Sequence, residues 1–191
     1  MTESTGRARA GGRQTTITFV YTHTGAKHML ELAEATPDGQ LYTITSALVF
    51  CAFTLEAYLN HLGKLRHSNW AEIERGIGKR RKFEMLAEGA SVSVDFSRRP
   101  YSTLLELFAF RDQMAHGRTV TENVSMLIDA SAPRLPQIRN QSHWRAIATI
   151  ESARQAIEDV EALVRELHAA YRYSGNPFER AGGCIYGVTP E

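Results

Sequence analysis

The sequence has few of the features that would assign a chemistry at first sight. Only two cysteines occur in 191 residues, Cys51 and Cys184, and they lie far apart. Neither a disulfide framework nor a cysteine metal site is predicted. The formal net charge is +1, so the chain has no strong overall field to attract nucleic acid or an anionic membrane. Any contact with a polyanion must therefore come from a local basic patch.

Long apolar runs are also missing. The first sixteen residues are polar and contain no apolar segment of a secretory signal. The most apolar run, residues 47–59, is shorter than the roughly 20 residues of a membrane span and contains Glu56. We therefore expect a cytoplasmic protein with no membrane partner.

Several motifs of cofactor-dependent and hydrolytic enzymes are absent. The sequence contains no Walker A loop, G-x-G-x-x-G, H-E-x-x-H or G-x-S-x-G. The histidine pairs His23/His28 and His61/His67 have no carboxylate at metal-ligand spacing. We predict neither a metal nor any other cofactor.

The pattern of apolar residues predicts an all-α fold, a bundle of four to five main helices with a small β-rich appendage. Residues 1–14 are predicted to be a disordered tail, residues 15–173 the helical domain and residues 174–191 a loose C-terminal tail. Within the domain, residues 37–66 predict a long central helix and residues 142–173 a long amphipathic one.

The β-rich residues 15–22 and 119–128 are predicted to pair as a two-stranded appendage. The second of these segments belongs to an insertion at residues 119–136. In the alternative interpretation, residues 15–22 are the entry to a helix that runs to Ala35.

The stretch that organises the chain is residues 104–118. It begins as an apolar helix and ends in Arg111, Asp112, His116 and Gly117. Gly117 can adopt a positive φ and stop the helix just after His116.

Asp112 and His116 are four residues apart and face each other. Arg111 and His116 are five apart, or roughly 140° around the axis. They can therefore meet only if the last turn distorts or if they face each other across a cleft shared with a second copy.

Arg-Asp-x-x-x-His-Gly after an apolar helix resembles the R-x4–6-H motif of HEPN domains. Residues 48–60, which end in Glu56-x-x-x-Asn60, are similar to the earlier HEPN helix with its apolar run and Glu-x-x-x-Asn ending. The two segments occur in the right order, about fifty residues apart, and the resemblance covers residues 41–173. It implies a helical, metal-independent endoribonuclease that is typically dimeric, with the two motifs facing each other across the interface.

The resemblance gives the candidate residues their roles. Arg111 would hold the scissile phosphate of RNA and stabilise the charge of the transition state. His116 would exchange a proton with the 2′-hydroxyl or the leaving 5′-oxygen. Asp112 would orient either of them. A carboxylate inside an apolar helix is costly unless it has a partner, so Glu56, with Asn60 beside it, is expected to position Arg111. A structural ion pair that fixes helix register is the alternative for Glu56, and a stabilising pair with His116 is the alternative for Asp112.

Basic side chains near the motif are candidates for phosphate contacts. Arg118 and Arg99 flank the helix that carries Arg111 and His116, and they are predicted to line a cleft. Lys79 belongs to the basic run 79–82. For that run a solvated surface is the favoured alternative.

The most specific hypothesis is an endoribonuclease that cleaves single-stranded RNA as a homodimer. The family suggests a toxin–antitoxin or phage-defence setting, with an antitoxin or defence-system protein as a possible partner. The alternatives are a non-catalytic HEPN-like module for dimerisation, nucleotide or RNA binding, and a plain scaffold bundle.

Overall fold

The fold is organised around a 27-residue helix whose apolar run, Ala47 to Leu62, is buried on several sides. A computed structural model of the protein describes residues 8–121, 123, 125–128 and 142–190. These residues form, in chain order, β1 (Ala8–Thr16), α1 (Thr18–Ala35), α2 (Gln40–Arg66), α3 (Trp70–Gly76), α4 (Lys79–Gly89), α5 (Tyr101–His116), α6 (His143–Ile147), α7 (Ile150–Ala170) and β2 (Gly182–Pro190).

The central helix is α2, and α1, α5 and α7 pack around it. The four long helices, with the shorter α4 also against α2, confirm the predicted mostly helical fold. Cys51 lies in this core, and burial raises the pKa of its thiol to about 12. The thiol is therefore a small apolar core group, as the sequence predicts. By length and composition alone, α2 is also the one helix of the described residues that could cross a membrane, a property that buried core helices share.

The segment that joins α1 to α2 is a short turn at residues 36–39. Its last residue, Gly39, has a φ of 68°, the left-handed conformation that glycine adopts without steric cost. The central helix consequently begins three residues later than predicted, at Gln40. Residues 15 and 16 end β1, whereas residues 18–22 are helical. The strand predicted over residues 15–22 is therefore wrong from residue 18 onward, and there the alternative of a helix running to Ala35 is confirmed.

The predicted helix over residues 142–173 is two helices. The chain leaves helical geometry at Ala148 and Thr149, and α7 starts anew at Ile150. The Thr149 side chain accepts a hydrogen bond from the backbone N–H of Ser152 at 3.1 Å, which caps the new helix. The helix breaks here because Thr149, which follows Ala148, caps the first turn of α7 instead of continuing α6.

Close packing of α3 depends on a glycine in α2. A Cβ at Gly63 would lie 2.3 Å from the indole ring of Trp70, so only glycine lets the ring lie flat on α2. Trp70 is buried there, and α4 follows it along the same side of α2.

The β appendage is built from the two ends of the described chain. β1 pairs with β2 in antiparallel register, from Ala8 opposite Pro190 to Thr16 opposite Gly182. The expected disorder of residues 8–14 is therefore wrong, and so is the looseness of residues 182–190, while residues 1–7 and 191 lie outside the described residues. Each glycine-rich segment is weak alone, but pairing satisfies the backbone groups of both.

The predicted partner strand at residues 119–128 is also wrong for its described part. Residues 119–121, 123 and 125–128 have no regular secondary structure, and the rest of the 119–136 insertion lies outside the described residues. The pairing of β1 with β2 follows instead from the helical bundle, which brings Ile17 and Ala181 together. The Ile17 N–H donates to the Ala181 carbonyl at 2.7 Å and anchors the ribbon at its base.

Candidate functional site

The second half of α5 places Arg111 against α2. The Arg111 side chain is 26% exposed, and its Nε lies 3.5 Å from Oε2 of Glu56. Its guanidinium also lies 5.8 Å from the ring centre of Phe53, one turn before Glu56 on α2. The predicted contact between Glu56 and Arg111 is therefore confirmed, whereas the roles assigned to the two residues stay predictions.

The ion pair between Arg111 and Glu56 is incomplete. At 3.5 Å the two charges attract each other, but the Arg111 Nε is buried and donates no hydrogen bond. Another nitrogen of the guanidinium, Nη1, donates to Oδ1 of Asp112 at 3.0 Å. Arg111 is thus flanked by two carboxylates and still has an unused donor.

Asp112 turns away from His116, contrary to the expected pairing four residues apart. Its two oxygens accept hydrogen bonds from Nζ of Lys79 at 2.8 and 3.0 Å. Partial burial opposes ionisation, but the hydrogen bonds from Lys79 and Arg111 outweigh it and lower the pKa of Asp112. The carboxylate prefers these two cations because they lie closer than the imidazole. We call Glu56, Lys79, Arg111 and Asp112 the Arg111 cluster.

His116 is the last residue of α5 and is exposed. It makes no hydrogen bond or ion pair with the part of the chain that the structure describes. Gly117 ends the helix, but with a φ of −56°, so the expected positive φ is wrong. The glycine is required by a close approach instead, because a Cβ there would lie 2.5 Å from the carbonyl oxygen of Gln113.

Within one copy, α5 does not bring Arg111 and His116 together. The helix is α-helical through His116, so the last turn does not distort to close the roughly 140° between them. Arg111 is held against α2, and His116 faces solvent. Of the two ways in which they could meet, only a cleft shared with a second copy remains.

Asn60 has a different partner from Glu56, although both lie on the same face of α2. Its side-chain oxygen accepts a hydrogen bond from Nζ of Lys82 at 3.0 Å, and this nitrogen also lies 6.0 Å from the ring centre of Trp70. Lys82 is buried. The basic run therefore folds inward at two positions, Lys79 and Lys82, which the favoured interpretation of a solvated surface did not anticipate. The spacing of the two lysines, three residues apart on one helical face, was the available signal.

The predicted cleft position of Arg99 is wrong. Arg99 lies at the other end of α5, twelve residues or about 18 Å along the axis from Arg111. It makes a two-point contact with Asp159 of α7, Nε to Oδ2 at 2.8 Å and Nη2 to Oδ1 at 2.9 Å. Arg118 is exposed just beyond α5 and has no ion pair within the described residues.

Among the described residues, no three histidine, cysteine or acidic side chains are grouped so that they could hold a metal ion. Compared with protein-family models, with curated proteins and with solved structures, the chain has no match. The resemblance to HEPN domains therefore rests on the two sequence segments alone.

Proposed function

We propose that the chain is a metal-independent endoribonuclease of HEPN type that cleaves single-stranded RNA. One observation carries the proposal. Arg111 is held by two carboxylates with 26% of its side chain exposed, and a solvent-exposed histidine, His116, ends the same helix. A cation that is fixed in position and reaches the surface is suited to a phosphate.

Arg111 binds the scissile phosphate in this mechanism. Glu56 and Asp112 hold the guanidinium from two sides and fix its plane before substrate arrives. As the phosphorus passes through its five-coordinate state, negative charge grows on the non-bridging oxygens. The fixed cation therefore stabilises the transition state more than the ground state, and this difference lowers the barrier.

His116 transfers the proton. Its imidazole takes the proton from the ribose 2′-hydroxyl as the 2′-oxygen attacks phosphorus, and the bond to the 5′-oxygen breaks. The 5′-oxygen leaves with a proton from a second acid, which in a two-fold dimer is the imidazole of the other copy. The products are a 2′,3′-cyclic phosphate and a 5′-hydroxyl, with no net change in protons.

The composite site requires a homodimer. Because Arg111 and His116 point about 140° apart, a second copy that faces the end of α5 is the arrangement that lets each arginine work with the opposite histidine. The half-exposed ring of Phe53, beside Arg111 and 37% exposed, gives this face an apolar contact. A toxin–antitoxin or phage-defence setting, with a partner protein that restrains the cleavage, belongs to the same proposal.

The test is a cleavage assay on a labelled single-stranded RNA in the presence of EDTA. The expected result is cleavage with 2′,3′-cyclic phosphate ends, reduced at least about 100-fold by His116→Ala. His28→Ala is the matched control, since His28 is also exposed but lies on α1. Equal cleavage by both variants, or cleavage abolished by EDTA, would overturn the proposal.

The second candidate is a non-catalytic RNA-binding or dimerisation module. The two carboxylates beside Arg111 favour it, because they already neutralise the guanidinium and repel a phosphate. This function predicts intact RNA after long incubation and a homodimer that Arg111→Ala weakens, as measured by analytical ultracentrifugation.

A further inference from the structure

A second polar site lies on the opposite side of α2 from the Arg111 cluster. Tyr58 and His61 lie roughly 160° and 140° around the α2 axis from Glu56. They line a cavity of about 490 Å³ between α2, the start of α1 and the end of α7. The volume is within the range of small-molecule sites, roughly 300–1,000 Å³.

The cavity contains polar groups that the fold leaves unpaired. Tyr58 is only 1% exposed, and its hydroxyl has no hydrogen-bond partner among the described residues. Burial raises the pKa of this hydroxyl, so it keeps its proton and remains a donor. An unpaired buried hydroxyl costs about 1–3 kcal/mol, and the packing of a helical core does not require one. A ligand that accepts this hydrogen bond would recover that cost.

Two imidazoles extend the polar side of the cavity. His61 is half-buried, and its ring lies tilted against that of Phe19 with 5.3 Å between the ring centres. Within the described residues neither of its ring nitrogens makes a hydrogen bond. His168 on α7 has only a long contact, 3.4 Å from Nε2 to the carbonyl oxygen of Ser174. Both rings therefore have capacity for a further partner.

The wall of the cavity is partly apolar and aromatic, and several of its polar side chains can donate a hydrogen bond. Phe19, Leu62 and Leu65 form the apolar part. Tyr173 and Arg180 add donors at the rim, where Glu179 is the one acidic side chain in the lining. A site with this composition matches a ligand that has a flat apolar body and a group rich in acceptors.

We propose that this cavity binds a small aromatic carboxylate, with its ring against Phe19 and Leu62 and its carboxylate between His61, His168 and the Tyr58 hydroxyl. A phosphate monoester of similar size shares the anionic chemistry. Its three acceptor oxygens need a wider donor set than these three groups present, so the carboxylate is the better match.

The electrostatics around His61 agree with an anionic ligand. Desolvation and the nearby His168 lower the pKa of His61, so the empty cavity disfavours two charged rings. A bound carboxylate offsets both effects and returns the proton to His61. The other titratable or charged groups that line the cavity around this ring are Tyr58, Tyr173, Glu179 and Arg180.

The rim of the cavity is held in place before any ligand arrives. Phe178 stacks on His23 at 4.0 Å and packs edge-on against Phe19 at 5.9 Å, which fixes the segment at residues 173–180. Arg165 lies 5.7 Å from the Phe178 ring centre and covers its outer side. A rim fixed in this way reduces the entropy that a ligand must remove on binding.

The experiment is a titration of the 191-residue chain with benzoate, followed by NMR of the backbone amides and the histidine rings. The expected result is saturable shifts at the rings of His61 and His168 and at the amides of residues 173–180. Benzamide, the neutral analogue, should bind about tenfold more weakly or not at all. Phenyl phosphate should also bind more weakly than benzoate. No saturable shift, equal affinity for benzamide or tighter binding of phenyl phosphate would overturn the proposal.

Variants separate this site from general effects on folding. His61→Gln and His168→Gln should each weaken benzoate binding about tenfold, and Tyr58→Phe, which preserves the ring, should weaken it severalfold. His28→Gln is the control outside the cavity. Unchanged affinity in all three cavity variants would exclude the site. The proposal does not depend on RNA cleavage, because benzoate binding is measured without RNA and in the His116→Ala background.

Discussion

Arg99, just before α5, and Arg111, in the second half of α5, each face a carboxylate on another helix, and the two pairs differ in completeness. At the N-terminal end, both oxygens of Asp159 are bonded to Arg99, and Oδ2 also accepts from the hydroxyl of Thr103. At the C-terminal end, the Arg111 Nε is 3.5 Å from Glu56 and donates no hydrogen bond. The carboxylates also differ in burial, since the Asp159 side chain is 8% exposed and that of Glu56 is 25% exposed.

The comparison shows how the same residue types serve two purposes. A buried carboxylate with all its acceptors used stabilises the fold and has no capacity for a ligand. A cation with an unused donor at a half-exposed position contributes less to stability and has capacity for a substrate. Completeness of hydrogen bonding, rather than charge, therefore distinguishes the structural pair from the candidate site.

The largest effect is expected at the incomplete pair. Arg111→Ala should reduce RNA cleavage by about 100-fold to 1,000-fold, since it removes the one cation placed to stabilise the phosphate charge. The assay is single-turnover cleavage of a labelled RNA, with circular dichroism to confirm folding. Arg99→Ala is the matched control and should cleave at the wild-type rate when measured below its unfolding temperature. A similar loss in both variants would remove the distinction between the two ends.

The complete pair should show its effect in stability. Arg99→Ala leaves the buried Asp159 with a single partner, Thr103, and should lower the free energy of unfolding by about 2 kcal/mol. Urea unfolding followed by circular dichroism gives this value. Arg98→Ala should change the free energy of unfolding little, because Arg98, the preceding residue, forms an exposed pair with Asp95. If Arg98→Ala destabilised the protein as much as Arg99→Ala, burial of Asp159 would not be the cause.

A smaller effect is expected from the lysine that holds Asp112. Lys79→Met removes two hydrogen bonds to Asp112, which then competes for the Arg111 guanidinium and draws it away from its position. We expect cleavage to fall about tenfold, the value of one charge-assisted hydrogen bond. Arg80→Met, one residue along, serves as the control, because it removes a pair with Glu84 and a contact with the Phe96 ring but no bond to Asp112. Equal rates for the two variants would contradict a role for Lys79 in positioning Arg111.

The smallest effect concerns a third pair, which is complete but titratable. His23 Nε2 lies 2.8 Å from Oε1 of Glu161, and burial lowers the pKa of His23 despite this hydrogen bond. The unfolded chain therefore binds a proton more readily, and stability should fall as the pH drops below about 6.5. His23→Gln should flatten this part of the profile, as measured by urea unfolding at a series of pH values. If the free energy of unfolding of the wild-type protein increased as the pH fell below about 6.5, the assigned direction of the pKa shift of His23 would be wrong.

Much of the helical framework could be predicted because it depends on local pattern. The apolar run of α2 and the Thr36-Pro37 punctuation placed the central helix to within three residues. The cost of a carboxylate inside an apolar helix predicted a cationic partner for Glu56, and Arg111 is that partner. These inferences succeeded because helix periodicity and burial cost act over a few residues.

Other features depended on contacts between distant parts of the chain and were missed. The glycine-rich ends are too weak to form strands alone, and each acquires its structure only from the other. From the sequence, Asp112 could pair with Arg111 or His116, and only the packing of α4 brings Lys79 into contact with it. The cavity beside Tyr58 and His61 has no sequence signature, because its wall comes from α1, α2, α7 and the segment after α7.

The sequence by itself determined which segments are helical, which of them is central, and that one arginine and one histidine end the helix at residues 101–116. The tertiary structure alone decided which arginine has its hydrogen bonds filled, where the chain ends meet and which polar groups face a cavity. The physical reason is range: helix formation follows the backbone hydrogen bonds of near neighbours, whereas saturation of a side chain depends on the groups that packing brings from elsewhere.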